Sequence, residues 1–138
     1  MYRNILVSLA LDHGLSSKLF EIARQLASSD GTILALHVVE APYGLAHAIQ
    51  KDDLSTMAFE RARNLMRDKM QGIEGITTHV VEGHVYRSIV EFAEEHDITC
   101  IVMGSHRPGL SDYLLGSTAA RVVRHAPCAV HVHRADGT

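Results

Sequence analysis

Basic residues are not in excess in this chain of 138 residues. The 13 lysines and arginines are outnumbered by 16 aspartates and glutamates, which gives a formal charge of -3 with histidine neutral. Domains that bind nucleic acid usually have the opposite balance, so we expect no nucleic-acid partner. Long apolar runs are also lacking, and none approaches the roughly 20 residues that a membrane-spanning helix needs. We therefore expect no membrane span.

Cysteine is scarce, and the N-terminus lacks a processing signal. Cys100 and Cys128 do not form a Cys-x-x-Cys pair, and both lie in or beside apolar segments. This placement predicts buried free thiols in a reducing compartment. The first apolar stretch has no small-residue cleavage site and ends at Asp12, which argues against secretion. Together these features predict a cytoplasmic protein.

The motifs of common catalytic sites are also missing. The chain contains no Gly-x-Ser-x-Gly, no His-Glu-x-x-His and no Walker-type Gly-x-x-x-x-Gly-Lys. Of its 10 histidines, His131 and His133 alone have ligand-like spacing, because alternate residues of a strand share a face. A third ligand at suitable spacing is not visible. The sequence therefore predicts neither a catalytic residue nor a metal site.

Apolar runs and helix-like periods alternate along the chain. Helical stripes predict a helix after each of the first four strands, and this order is typical of a doubly wound α/β sandwich with right-handed crossovers. The length and the absence of a linker predict one domain over residues 1–138. The least apolar strand, 77–81, is expected at a sheet edge. The predicted strands are 5–11, 32–39, 77–81, 98–102 and 129–133.

Two of the predicted helices have defined limits. The first begins at Ser16 or Ser17 and ends with Gly31 as a C-cap residue. The second covers residues 53–70 and follows a loop at 40–50. Their predicted buried stripes are Leu19, Ile22, Ala23, Leu26 and Ala27 in the first helix, and Leu54, Ala58, Arg61, Ala62, Leu65 and Met66 in the second.

The fourth strand leads into a segment bracketed by glycines. It covers residues 103–115 and ends with Gly116-Ser117-Thr118 at the beginning of the last helix. At the carboxyl edge of a parallel sheet, such a loop brings a helix N-terminus, with its unpaired N–H groups, to an anionic ligand. The sequence therefore predicts a phosphate-binding loop. The alternative role for Ser117 and Thr118 is ordinary N-capping of the helix.

Six stretches of the chain carry a family pattern. They are Ile5-Leu6-Val7, Leu36-His37-Val38-Val39, Val81-Glu82-Gly83, Ile101-Val102-Met103-Gly104-Ser105, Leu114-Leu115-Gly116-Ser117-Thr118-Ala119 and Val122-Val123-Arg124-His125-Ala126-Pro127-Cys128. In this order they resemble the bacterial universal stress protein family over essentially the whole chain. The resemblance implies a five-stranded parallel sheet in the order 3-2-1-4-5 with helices on both faces, and ATP at the carboxyl ends of the strands in many members.

The resemblance also implies homodimers that pair through the last strand, Ala129 to His133. Most family members are apolar at this seam, whereas this chain has His131 and His133. Because histidine titrates near neutral pH, we expect a polar and pH-sensitive dimer edge.

The phosphate loop departs from the signature of the ATP-binding members. That signature is Gly, two residues, Gly, nine residues, then Gly and Ser or Thr. Gly104 and Gly116-Ser117 fit its ends, but Arg107 replaces the middle glycine and is followed by eight residues before Gly116. The run 105–108 resembles a variant loop from one branch of the family, some of whose members also bind ATP. Arg107 is either a phosphate ligand or a surface arginine.

The first strand departs from the family pattern as well. Ser8 stands where the family has proline, and Ala10 stands where it has an acid that contacts the ribose. Asp12 follows two residues later, about 6.5 Å further along an extended strand. It is either a substitute ribose ligand or a carboxylate that caps the first helix. Val38 would offer its backbone to adenine.

The resemblance thus implies a stress-response protein that binds ATP, with or without Mg²⁺, or AMP, and acts as a homodimeric signalling or protective factor. The alternative is a nucleotide-free dimeric interaction module of the same fold. A third interpretation is a slow ATPase or an autophosphorylating protein. The residues assigned to the nucleotide are Ser8, Leu9, Asp12, Val38, Met103, Gly104, His106, Arg107, Gly116, Ser117 and Thr118.

Overall fold

The computed structural model describes residues 1–11, 16–40, 45–105 and 115–134. Strands and helices alternate through these residues. The strands are β1 (Tyr2–Ser8), β2 (Ala27–Val39), β3 (Ile76–Glu82), β4 (Cys100–Gly104) and β5 (Ala129–His133). The helices are α1 (Ser16–Leu26), α2 (Leu45–Lys69), α3 (Val85–Glu95) and α4 (Ser117–His125).

The five strands form one sheet in the order β3-β2-β1-β4-β5, and every neighbouring pair is parallel. Helices α1 and α2 pack on one face and α3 and α4 on the other, so the sheet is doubly wound. The predicted fold class is therefore confirmed, including β3 at an edge. Strand order reverses between β1 and β4, which are neighbours in the middle of the sheet.

The central strand β1 explains why its sequence is continuously apolar. Ile5 and Val7 belong to the core under α1 and α2, whereas Leu6 belongs to the core under α3 and α4. All three side chains are fully buried, because successive residues of a strand point to opposite faces and both faces are covered.

The predicted end of α1 at Gly31 is wrong. The helix ends at Leu26, and Ala27 already pairs with Tyr2 of β1. An irregularity follows, since the next pair in the register is Asn4 with Thr32. A Cβ atom on Gly31 would lie 3.0 Å from the carbonyl oxygens of both Ser28 and Tyr2. Glycine is therefore needed here for close backbone approach, and it does not cap a helix.

The predicted stripe of α2 is wrong in part. The helix begins at Leu45, inside the predicted loop at 40–50, and the side chain of Leu54 lies outside the described residues. Ala62 and Met66 are buried as predicted, but Ala58, Arg61 and Leu65 are exposed, and Phe59 packs on the core instead. Because α2 contacts β2 and the edge strand β3, only a narrow stripe of the helix is covered.

Both cysteines are free thiols, as predicted. Cys100 is buried in β4 and Cys128 is half-buried just before β5. Burial raises the pKa of Cys100 to about 11, and the nearby Cys128 contributes to this rise. Burial also raises the pKa of Cys128.

We expect the Cys100 thiol of the folded protein to resist alkylation at pH 8. A pKa raised by two pH units lowers the reactive thiolate fraction about a hundredfold, and burial also excludes the reagent. Mass spectrometry after timed iodoacetamide treatment measures the rate at each cysteine, with the guanidinium-unfolded chain as the control. Equal rates at Cys100 in the folded and unfolded chains would contradict the placement of this side chain.

Candidate functional site

Strand order reverses between β1 and β4, and in open α/β sheets such a reversal forms a crevice at the carboxyl ends of the strands. The chain leaves β1 towards α1 on one face and leaves β4 towards α4 on the other. The register pairs Val7 with Val102, so the carboxyl ends of these two strands lie side by side. In open α/β sheets this is the position where ligands bind, because no helix covers the gap between the diverging connections.

The β1 side of the crevice is formed by residues that continue the strand. Ser8 ends β1 and is half-buried, and Leu9 is only 4% exposed. The Leu9 amide donates to the Leu36 carbonyl at 2.9 Å. Ala10 is exposed and presents a methyl group where the family has an acid. Asp12, the proposed substitute for that acid, lies outside the described residues.

His37 is a positioning residue that was not assigned to the site from the sequence. Its Nδ1 atom lies 2.7 Å from the Leu9 carbonyl oxygen, so β2 holds both backbone polar groups of Leu9. The carbonyl can only accept a hydrogen bond, which assigns the proton to Nδ1 in the neutral ring. The sequence signal for this role was an imidazole within the otherwise apolar run 33–39.

We expect His37→Leu to loosen the backbone at the end of β1. Losing the bond and burying an unsatisfied carbonyl should lower the free energy of unfolding by about 1–3 kcal/mol. The Leu9 amide should then exchange its hydrogen faster with solvent, whereas His131→Leu, at an exposed position on β5, should leave that rate unchanged. Native-state hydrogen exchange measures both. An unchanged Leu9 rate in His37→Leu would show that the imidazole does not hold this segment.

The β4 side of the crevice leads into α4 through two anchored residues. Met103 and Ser105 are buried, and the Ser105 amide donates to the His133 carbonyl at 2.9 Å. The Ser105 carbonyl accepts a 2.8 Å hydrogen bond from the amide of Gly116, the N-cap residue of α4. The segment 106–115 therefore leaves and rejoins the fold at one point. His106 and Arg107 lie outside the described residues.

The start of α4 presents several hydrogen-bond donors. The first helical bond runs from the Ala120 amide to the Gly116 carbonyl at 2.9 Å. The amides of Ser117, Thr118 and Ala119 precede that bond, so they have no partner within the helix. Gly116 occupies the N-cap position, so the alternative in which Ser117 or Thr118 caps the helix is wrong. Ser117 is exposed and Thr118 is half-buried, and each adds a hydroxyl group to this first turn.

Gly116 is buried, but its backbone does not require glycine. Its φ of -59° and ψ of 154° are allowed for every residue type. A glycine here has no Cβ atom that could hinder a ligand approaching the first turn of α4. That is the feature expected where a ligand approaches the backbone closely.

The structure brings most of the sequence-predicted residues to this edge of the sheet. Val38 lies near the end of β2, two residues beyond Leu36, which pairs with Ser8. Its side chain is buried in the core under α3 and α4, and it pairs with Val81 of β3. The predicted residues that gather around the crevice are Ser8, Leu9, Val38, Met103, Gly104, Gly116, Ser117 and Thr118.

Comparison with known proteins decides the family. The model of the universal stress protein family matches residues 1–134. The chain belongs to the universal stress protein family. Universal stress protein G of Escherichia coli O157:H7 is 34% identical over 142 residues, which cover 97% of this chain and all of that protein. The resemblance inferred from the sequence motifs is thus confirmed.

Solved structures of the universal stress protein family share this fold. The universal stress protein UspA from Lactobacillus plantarum has a TM-score of 0.78 and 27% identity, with 96% of this chain and 98% of that chain covered. A crystal structure of a universal stress protein in complex with cAMP has a TM-score of 0.60 and 23% identity, with 96% and 97% covered.

Other sites were sought in the part of this universal stress protein that the structure describes. No group of three or more His, Cys, Asp or Glu side chains in that part is arranged to hold a metal ion. None of its helices has both the length and the apolar character needed to cross a membrane. A groove of about 640 Å³ lies between α2 and β3, lined by residues that include Phe59, Arg63 and Met66. It is two strands away from the crevice, so we do not assign it to the same site.

Proposed function

We propose that this protein is a stress-response factor that binds an adenine nucleotide, ATP or AMP, at the carboxyl ends of β1 and β4. The bond between the Gly116 amide and the Ser105 carbonyl carries the proposal, because it fixes the N-terminus of α4 beside the switch point of the sheet. Helix N-termini attract phosphate through unpaired amides and the helix dipole. The related universal stress protein in complex with cAMP supports an adenine nucleotide.

The proposed contacts divide the nucleotide among three groups of residues. The amides and hydroxyls at the start of α4 donate to the phosphates, next to Gly116. The backbone of Val38 meets the adenine. The backbone of Ser8 and Leu9, with Asp12, meets the ribose. Met103 and Gly104 are assigned to the same ligand at the end of β4. His106 and Arg107 are assigned to it from the sequence, with Arg107 as a further phosphate ligand. Mg²⁺ would enter with ATP through the phosphates.

Two measurements test the nucleotide proposal. Mass spectrometry of the denatured, freshly purified protein should detect a co-purified adenine nucleotide. Calorimetry of the nucleotide-free protein should show binding of ATP or AMP, with and without Mg²⁺. An absence of binding at about 1 mM nucleotide, a concentration that detects even weak complexes, would sink the proposal.

A nucleotide-free interaction module is the second candidate function. The observation in its favour is Ala10, whose exposed methyl group cannot hydrogen-bond a ribose. If Asp12 does not replace the missing acid, the same calorimetry will register no nucleotide while the protein still assembles with a partner. Ala10→Asp separates the two candidates, because it should strengthen ATP binding only if the ribose lies beside this position.

The dimer proposal concerns the free edge of β5. This strand pairs with β4 on one side. Within the described residues no strand pairs with its other side, so a second copy of the chain can pair there. We propose a homodimer across this edge, in a cytoplasm that keeps both thiols reduced. Light scattering should report a dimer whose stability changes between about pH 5.5 and 8, the range in which histidine side chains generally change charge. A mass that is constant over this range would rule out the pH-sensitive edge.

A further inference from the structure

Four basic side chains surround one tyrosine on the α3–α4 face. The imidazole centroids of His84 and His125 lie 5.0 Å and 5.4 Å from the centroid of the Tyr86 ring. The guanidinium carbons of Arg87 and Arg121 lie 5.9 Å and 5.5 Å from that centroid. Tyr86 is half-buried and the four basic side chains are exposed. We refer to these five residues as the Tyr86 cluster.

The Tyr86 cluster has few acidic neighbours. Helix α4, which supplies Arg121 and His125, contains no acidic residue and adds Arg124 one turn away. The acid that acts on Arg87 is Glu91, one turn further along α3. Glu82 precedes the cluster in sequence, but it lies with Thr56 and Glu60 beside α2. Lys18 and Glu21 of α1 form an ion pair. Within the described ranges, no ion pair involves a side chain of the Tyr86 cluster.

Arg87 and Arg121 bring two positive charges to one ring, on a protein with a formal charge of -3. Contact with an aromatic face partly stabilises each guanidinium, but it does not neutralise the charges. Each guanidinium group therefore keeps a full positive charge. A ligand that carries several carboxylates can pair with both arginines at once.

We propose that the Tyr86 cluster is a docking surface for an acidic segment of a partner protein. Tyrosine and arginine are the side chains most enriched at the energetic centres of protein interfaces. The half-buried ring offers an apolar floor, and the exposed guanidinium groups can each fork onto a carboxylate. The small area and the overall negative charge favour a short acidic segment over a nucleic acid, which needs an extended basic face.

This surface is separate from the proposed nucleotide site. The nucleotide would use the first turn of α4, whereas the Tyr86 cluster uses Arg121 and His125 in the second half of that helix together with the start of α3. The inference therefore does not rest on nucleotide binding. Each can fail without the other.

The test uses a fluorescein-labelled peptide of alternating glutamate and glycine, with a glutamine version as the neutral control. Fluorescence anisotropy of the full chain at low ionic strength should show binding of the acidic peptide and not of the neutral one. The double variant Arg87→Gln/Arg121→Gln should weaken binding about tenfold, because it removes both guanidinium groups at the ring. The matched control, Arg61→Gln/Arg63→Gln, removes the same charge from exposed positions on α2 and should change the affinity less than twofold.

Several outcomes would overturn the proposal. Equal losses in the two double variants would show attraction by overall charge alone. An absence of peptide binding at about 1 mM would show that the cluster lacks affinity for acidic segments. Tighter binding of a DNA duplex that depends on the same two arginines would assign the surface to nucleic acid. Self-association that these substitutions abolish would assign it to a second copy of the chain.

Discussion

Gly116→Val is expected to weaken ATP binding by about a hundredfold, which corresponds to roughly 3 kcal/mol and the loss of one or two charge-assisted hydrogen bonds. The branched side chain would occupy the space beside the first turn of α4, where the amides of Ser117 and Thr118 meet the phosphates in the proposed complex. The backbone angles of Gly116 allow valine, so backbone strain should not contribute to the loss. Calorimetry of the variant and of the native sequence measures the difference.

Two further substitutions make the result specific. Gly116→Ala should cause a smaller loss, because it adds one methyl group. Ala120→Val, at an exposed position one turn into α4, places the same branched side chain in the helix without approaching the ligand. It should leave the affinity within about twofold. If Ala120→Val weakens ATP as strongly as Gly116→Val does, the effect comes from the stability of α4.

Phe20→Ala is expected to lower the free energy of unfolding by about 3–5 kcal/mol, since it truncates the largest fully buried side chain in the described core and leaves a cavity. Phe20 lies on α1 and packs in the cluster that holds β1 and β4 from one face. Chemical denaturation followed by circular dichroism measures the loss. Because stabilities of whole domains are often only 5–15 kcal/mol, this one change should move the transition visibly.

Leu65→Ala is the matched control for the core. The helical period of α2 places Leu65 in the buried stripe, but the structure leaves it 41% exposed. Its truncation should therefore change the free energy of unfolding by about 0.5 kcal/mol or less. A loss at Leu65 comparable to that at Phe20 would contradict the orientation of α2.

The sequence patterns predicted that five strands form the sheet, but two strand limits were wrong. Strand β1 covers Tyr2–Ser8 and not 5–11, and β2 begins at Ala27 and not at residue 32. Strands such as β1 and β4 are covered on both faces, so burial alone makes them apolar, and their pattern is unambiguous. The order of the strands came from the family resemblance and not from periodicity. Two helical details were missed for physical reasons. Phe20 lies outside the predicted stripe of α1, although it is buried, and α2 covers a sheet edge where a helix needs only a few apolar side chains.

Part of the candidate site was also predictable from the sequence. Gly116, Ser117 and Thr118 were assigned to the start of a helix because glycine and hydroxyl residues are typical of that position. The clamp from His37 to Leu9 was not predictable, because the two residues are distant in sequence and meet only through the register of β1 and β2. Likewise, Ser105 was part of a motif, but its role as an acceptor for Gly116 depends on tertiary geometry.

The bond between Gly116 and Ser105 has a consequence for the evolution of the phosphate loop. Because the two ends of segment 106–115 are tied together, a change of loop length does not have to alter the register of β4 or the position of α4. The entropic cost of closing a loop grows only slowly with its length. The one-residue difference from the signature that the resemblance implies thus falls between two fixed ends, at Ser105 and Gly116. Ligand preference can therefore diverge in this family at little expense in stability.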